Sequence, residues 1–309
     1  MLNDVLDIVA PVFIVVGAGY LSVKARWLED DSIDQLMRFA ITIAIPCLLF
    51  RATSSIDLAA AFDWRILAAY YAAALAGFVL VYFVATRVFK RRPGEGVAIG
   101  FAALFSNLVM LGLPISERAW GVDSMAPNFA LVSVNAPICY LVGITAMELL
   151  RADGRNAADT CRVVVSAMFR NSMMIGIGLG FAANLLEVTL PASLLGAVDL
   201  LAVASLPVAL FALGGILTRY RLQHSLGEAF MVSGVSLLLQ PALTMLLAVQ
   251  LELGEQTLRS IVLMAAVAPG LNAYLFASMY GRALDVAASS VLLSTLLSVL
   301  SISVWLLIL

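Results

Sequence analysis

Charge is scarce in this sequence. Asp, Glu, Lys and Arg make up 12% of its 309 residues against 62% hydrophobic residues, with a mean hydropathy of +1.02. A soluble domain needs far more polar surface, so the composition points to a polytopic membrane protein. The few charges form no basic groove, which excludes nucleic acid as a partner. His224 is the single histidine and lies in a basic loop, so there is no imidazole pair for a metal site. Cys47, Cys139 and Cys161 show no C-x-x-C spacing, which excludes a disulfide framework and leaves them as small packing residues. The carboxylates are scattered and no nucleophile elbow occurs, so the chain is not expected to be an enzyme or to need a cofactor. Gly176, Gly178 and Gly180 miss the dinucleotide spacing because Phe181 follows, and they read as helix-packing positions. No basic region precedes the first apolar run and no small-residue cleavage site follows it, so it reads as a span and not as a removed signal.

Long apolar runs are what the chain has. A window of about 20 residues finds ten candidate spans near 5–23, 35–53, 64–86, 96–119, 125–149, 164–186, 193–217, 225–250, 258–280 and 284–308. The connections are short and leave no room for an extramembrane domain. Fourteen of the 18 Lys and Arg fall beside the loops after odd-numbered spans, and Arg51, Arg65, Arg118 and Arg259 fall on the other side. Positive charge stays cytoplasmic, so both termini are expected outside the cytoplasm of a multi-pass plasma (inner) membrane protein.

The two halves resemble each other. PCLLF begins at Pro46 and PVALF at Pro207, 161 positions later, and Asn107 and Asn272 are 165 apart. An odd number of spans per half requires opposite insertion, so the expected fold is all-α: ten transmembrane helices in two inverted five-helix repeats, 1–152 and 162–309.

Two spans carry interruptions that a bilayer disfavours. Ala103–Ile115 contains Ser106, Asn107, Gly112 and Pro114; Ala265–Tyr274 contains Pro269, Gly270 and Asn272. Helices broken there and crossed near the midplane would expose N–H groups and carbonyls, with the two Asn amides beside them as candidate ligands and Pro114 and Pro269 making the helix ends. Asn135 and Pro137 form a third interruption, Gln240-Pro241 a break in span eight with a supporting role, and Pro46 and Pro207 matching supports. Asp34 and Arg38, four apart, are expected to pair on one helix face.

At these residues the chain resembles the auxin efflux carrier family, which includes plant auxin carriers and bacterial malate or malonate permeases. FSNLVMLGLPI at Phe105–Ile115 is similar to the family's F-x-N-x-x-x-x-G-x-P-I signature, PVALFALGGIL at Pro207–Leu217 to its span-seven pattern, and APGLNAYLFASMYG at Ala268–Gly281 to its span-nine crossover. The resemblance implies a secondary transporter for a small organic anion, working by elevator-type alternating access. It further implies a scaffold of spans 1, 2, 6 and 7 that dimerises and a transport unit of spans 3–5 and 8–10. Two departures stand out: Asn171-Ser172 replaces the family's Asn-Pro, and Ser236 occupies a position where many members have Lys. Coupling to H+ or Na+ stays open. A sodium-coupled symporter of the bile-acid type is the alternative, although neither interruption holds the carboxylate and Gln that such proteins use. A non-transporting receptor or an intramembrane enzyme is a remote third reading.

Overall fold

The computed structural model describes residues 2–55, 63–121, 124–151, 172–188, 190–220 and 225–309. His224, Cys161 and Asn171 lie outside them. The helices are α1 (Leu2–Lys24), α2 (Asp30–Ser54), α3 (Trp64–Arg87), α4 (Pro93–Leu104), α5 (Leu113–Trp120), α6 (Ala126–Arg151), α7 (Ser172–Leu185), α8 (Ala192–Leu217), α9 (Leu226–Gln250), α10 (Glu255–Ala265), α11 (Leu271–Tyr280) and α12 (Leu284–Ile308). Among the described residues, seven are long and apolar enough to cross a membrane: α2, α3, α6, α8, α9, α12 and, over Val5–Lys24, α1. The all-helical, multi-pass reading therefore stands. Large apolar side chains such as Ile14, Leu200 and Val203 are well over half exposed along these helices, as lipid-facing positions require.

Two compact units emerge from the internal packing: Met1–Ala10 with Phe62–Val164 and Tyr220–Leu309, and Pro11–Ala61 with Val165–Arg219. In the second unit small residues set the helix contacts. A Cβ on Gly214 would collide with the Val16 carbonyl of α1, one on Gly19 with the Phe211 carbonyl of α8, and one on Gly180 with Thr53 of α2. Gly176 also lies close to the Pro46 backbone, with 2.5 Å from an ideal Cβ to the Pro46 carbonyl oxygen, whereas Gly178 faces open space. The packing reading thus applies to Gly176 and Gly180 and not to Gly178. Close backbone approach is the main attraction between helices in lipid. Gly214→Val is expected to force α1 from α8 and to destabilise the fold by about 1–3 kcal/mol, seen as a lower midpoint in detergent thermal unfolding.

Among the described residues, three helical segments bear a π-turn just before a proline. Ala40–Ala44 precedes Ile45-Pro46, Leu108–Gly112 precedes Leu113-Pro114, and Val235–Leu239 precedes Gln240-Pro241. The widened turn gives the proline ring room where an α-helical carbonyl would clash. Span eight is therefore not broken at Pro241: α9 runs through it, and the Leu237 carbonyl, which Pro241 cannot serve, accepts the Trp305 indole N–H at 2.9 Å. Likewise α6 continues through Pro137 and α8 through Pro207. Neighbouring groups in a packed bundle make such prolines tolerable without an interruption.

Charged groups sit at helix ends. Asp63 caps α3 and accepts from the Arg65 backbone N–H at 2.9 Å, and the Arg65 guanidinium beside it lowers its carboxyl below the ordinary range. Asp34 pairs with Arg219 at 2.8 Å, which also bonds Asp30, so the expected Asp34–Arg38 pair gives way to a partner 185 residues along the chain. A guanidinium that reaches two acidic residues and a backbone carbonyl at once outweighs a single solvated i,i+4 contact. Arg91 binds Glu228 at 2.7 Å, tying the loop before α4 to the first turn of α9.

Candidate functional site at the paired helix breaks

Two interrupted helices meet at their interruptions. α4 ends at Leu104; Phe105 (φ −98°, ψ 85°) and Asn107 (φ −80°, ψ 64°) leave the helical region before the chain turns again at Leu108. Asn107 is the centre of an inverse γ-turn, with the Leu108 N–H donating to the Ser106 carbonyl at 2.9 Å. On the other side α10 ends at Ala265, and α11 starts at Leu271 after Gly270 in extended conformation.

The loose ends satisfy each other. The Asn107 N–H donates to the Ala268 carbonyl at 2.9 Å and the Gly270 N–H to the Phe105 carbonyl at 3.2 Å, forming an isolated antiparallel bridge between Ser106 and Pro269. Pro269 fits because the bridge asks nothing of its missing N–H, and Gly270 fits because an added Cβ would stand 3.3 Å from the Asn107 Cβ. Irregular backbone inside a membrane is stable only where it is paired in this way.

This geometry corrects one sequence reading. Pro114 does not open the first break, which lies at Phe105–Asn107, seven residues before it; Pro114 is the second residue of α5, after the π-turn. Gly112 has a packing role there, since a Cβ would stand 2.6 Å from the Met264 sulfur of α10. Pro269, by contrast, lies within the second break.

The crossing is neutral in formal charge. Neither Ala103–Ile115 nor Ala265–Tyr274 contains an acidic or basic residue. Two helical segments, beginning at Leu108 and Leu271, start within contact of each other through Asn107 and Gly270. Their first N–H groups lack intrahelical acceptors and carry the positive ends of the helix dipoles. The Asn107 carbonyl oxygen accepts from the Met110 N–H at 3.3 Å, and the Asn272 carbonyl oxygen accepts from the Tyr140 hydroxyl at 3.2 Å. Asn135 on α6 has its carbonyl oxygen beside the Tyr71 hydroxyl at 3.4 Å and the Cys139 thiol at 3.5 Å. In all three the oxygen end of the amide is turned toward a protein donor, and the Nδ2 donors lie at its other end.

Aromatic rings close one side. Phe101 stacks on Phe276 at 3.9 Å between centroids, and Phe105 and Tyr140 pack on them. Gly143, one turn beyond Tyr140, makes room for both stacked rings, since a Cβ there would meet Phe101 and Phe276. Ser106, within the break, and Tyr70 and Gln240 are fully buried. The Tyr70 hydroxyl faces Ser106 and Gln240, yet the hydroxyls of Tyr70 and Ser106 and both Gln240 amide atoms make no hydrogen bond of ordinary geometry. Gln240, singled out as a support, is thus next to the break, and Pro46 and Pro207 belong to the other unit. Tyr140 and Tyr70 were not singled out from sequence. Their signal was a phenol in mid-span, which needs a partner.

The profile of a family described as membrane transport protein matches residues 4–157 and 159–306. The chain is 22% identical over 302 residues to a protein of Rhizobium meliloti (strain 1021) named "Putative malonate transporter", covering 97% of this chain and 94% of that one. It is 24% identical over 305 residues to an uncharacterized transporter of Methanothermobacter thermautotrophicus, covering 97% and 96%. It is 21% identical over 310 residues to the uncharacterized transporter YfdV of Escherichia coli (strain K12), covering 99% and 98%.

Proposed function

Since the chain belongs to the membrane transport protein family, the auxin efflux carrier family of the sequence resemblance, and is a transporter and not an enzyme, we propose that it moves a small organic anion through the paired breaks. The observation that carries this reading is the engagement of both amide oxygens, Asn107 by Met110 and Asn272 by Tyr140. Amides whose oxygens are turned to protein donors, beside two helix N-termini, suit a ligand that only accepts hydrogen bonds from Nδ2, and a carboxylate is the commonest such ligand.

Asn107 and Asn272 are the direct ligands, with the backbone around Ser106, Pro269 and Gly270 shaping the crossing and Asn135 a further donor. The unit that contains both breaks is the transport body, and the unit of Pro11–Ala61 and Val165–Arg219 is the scaffold and the surface of a homodimer. Transport follows from an elevator movement of the first against the second, in a plasma membrane with both termini outside. The two breaks run antiparallel, as inverted repeats related by an in-plane axis require.

The test is uptake of labelled malonate, malate and indole-3-acetate into proteoliposomes by wild type, Asn107→Ala and Asn272→Ala, with folded protein quantified in each. Each alanine is expected to lower uptake per amount of folded protein about tenfold or more, the loss of one hydrogen bond to a charged ligand. Unchanged uptake in both variants would sink the assignment.

A further inference from the structure

Asn272 is the second residue of α11, and its amide has two orientations that differ by a half-turn of its last torsion. One offers a ligand the NH2 donors and the other the carbonyl oxygen, so the same residue either attracts or repels a carboxylate. What selects between them is the group that faces the amide from inside the protein. That group is the Tyr140 hydroxyl of α6, 3.2 Å from Oδ1. A phenol oxygen can also accept, but its own hydrogen would then need another acceptor. The rings packed around Tyr140, those of Phe101, Phe105 and Phe276, offer no lone pair of that kind.

The ring cluster also fixes where the hydroxyl is. Phe101 and Phe276 stack nearly parallel, at 10°, and Tyr140 contacts both at 5.5 and 6.4 Å between centroids. Tyr140 is therefore held by its ring and acts through its oxygen. From this geometry we propose that Tyr140 is a positioning residue. It locks the Asn272 amide with NH2 toward the substrate and makes the site choose carboxylates over their primary amides. This assignment rests on the organic-anion reading above.

Tyr140→Phe removes the oxygen and keeps the ring. The experiment is equilibrium titration of the purified protein with malonate, malate and indole-3-acetate and with the matching amides malonamide, malamide and indole-3-acetamide. Wild type, Tyr140→Phe, Asn272→Ala and the double variant are compared, with thermal midpoints measured alongside. Tyr140→Phe is expected to weaken carboxylate binding about tenfold, as for one hydrogen bond to a charged ligand made or lost. It is also expected to narrow the acid-to-amide ratio and leave the thermal midpoint in place. In the Asn272→Ala background it is expected to do nothing further, because its effect passes through that amide.

A merely structural Tyr140 would instead lower the midpoint and weaken acids and amides alike. An unchanged ratio in Tyr140→Phe, or a full further loss in the Asn272→Ala background, overturns the assignment while leaving the organic-anion reading intact. Wild-type protein that binds none of the three acids overturns that reading, and the role of Tyr140 with it.

Discussion

Asn107→Asp and Asn272→Asp are each expected to cut carboxylate uptake roughly a hundredfold or more, a larger loss than alanine gives, because a donor becomes a like charge facing the substrate. The substitution separates recognition from folding at position 107. The Asn107 side chain also caps the helix that begins at Leu108, accepting from the Met110 N–H, and Asp serves that cap as well as Asn does. Folded yield should therefore hold while transport falls. At position 272 an Asp carboxylate can still accept from Tyr140, so that contact is kept as well. Uptake assays on matched amounts of monodisperse protein check both. If either Asp variant transports carboxylates as wild type does, that amide does not face the substrate.

Gly270→Val carries the second large effect, this time on the fold. An added Cβ at Gly270 meets the Cβ of Asn107 at 3.3 Å and its Cα at 3.4 Å, closer than neighbours usually sit. Branching at that carbon leaves no direction in which to relieve the contact except separation of the two breaks. Separation weakens the bonds from Asn107 to Ala268 and from Gly270 to Phe105, and a backbone group left unpaired in a buried site costs on the order of 1–3 kcal/mol. With overpacking of similar size added, the loss comes to roughly 2–6 kcal/mol. The midpoint in detergent should fall by several degrees and uptake should be lost together with it. Gly121, whose Cβ would meet nothing within 4 Å, is an unsuitable control because its positive φ of 79° already favours glycine. Gly178, helical and facing open space, is the fitting one, and Gly178→Val should leave both readouts near wild type.

Much of this was legible in the sequence, and for definite reasons. Helix positions follow from the length of apolar runs, so α3 at Trp64–Arg87 and α12 at Leu284–Ile308 fall where hydropathy puts them. Asn107 and Asn272 stood out because polar groups in a span are costly, and the breaks do lie beside them. The error at Pro114 has a clear origin. Proline alone suggests itself as the agent of the break, but a π-turn accommodates it, as at Pro46 and Pro241. The actual break lies at Phe105 to Asn107, where Ser106 and Asn107 lean only weakly toward caps and turns and leave the helix because the second segment is there to pair with them. Such pairing is non-local, and no window along the chain contains it. The same applies to Asp34, whose partner Arg219 is far away in sequence, and to Tyr140, whose role exists only once α11 is beside α6.

The central claim is that the Asn107 and Asn272 amides present their NH2 donors to the substrate. The most direct measurement is the affinity of the wild-type protein for a carboxylate against its isosteric primary amide, in the same titration, for malonate and malonamide, malate and malamide, and indole-3-acetate and indole-3-acetamide. At least one acid should bind about tenfold or more tightly than its amide, since the amide replaces an accepting oxygen with a donor that meets another donor. Equal affinity for acid and amide in every pair that binds would contradict the account.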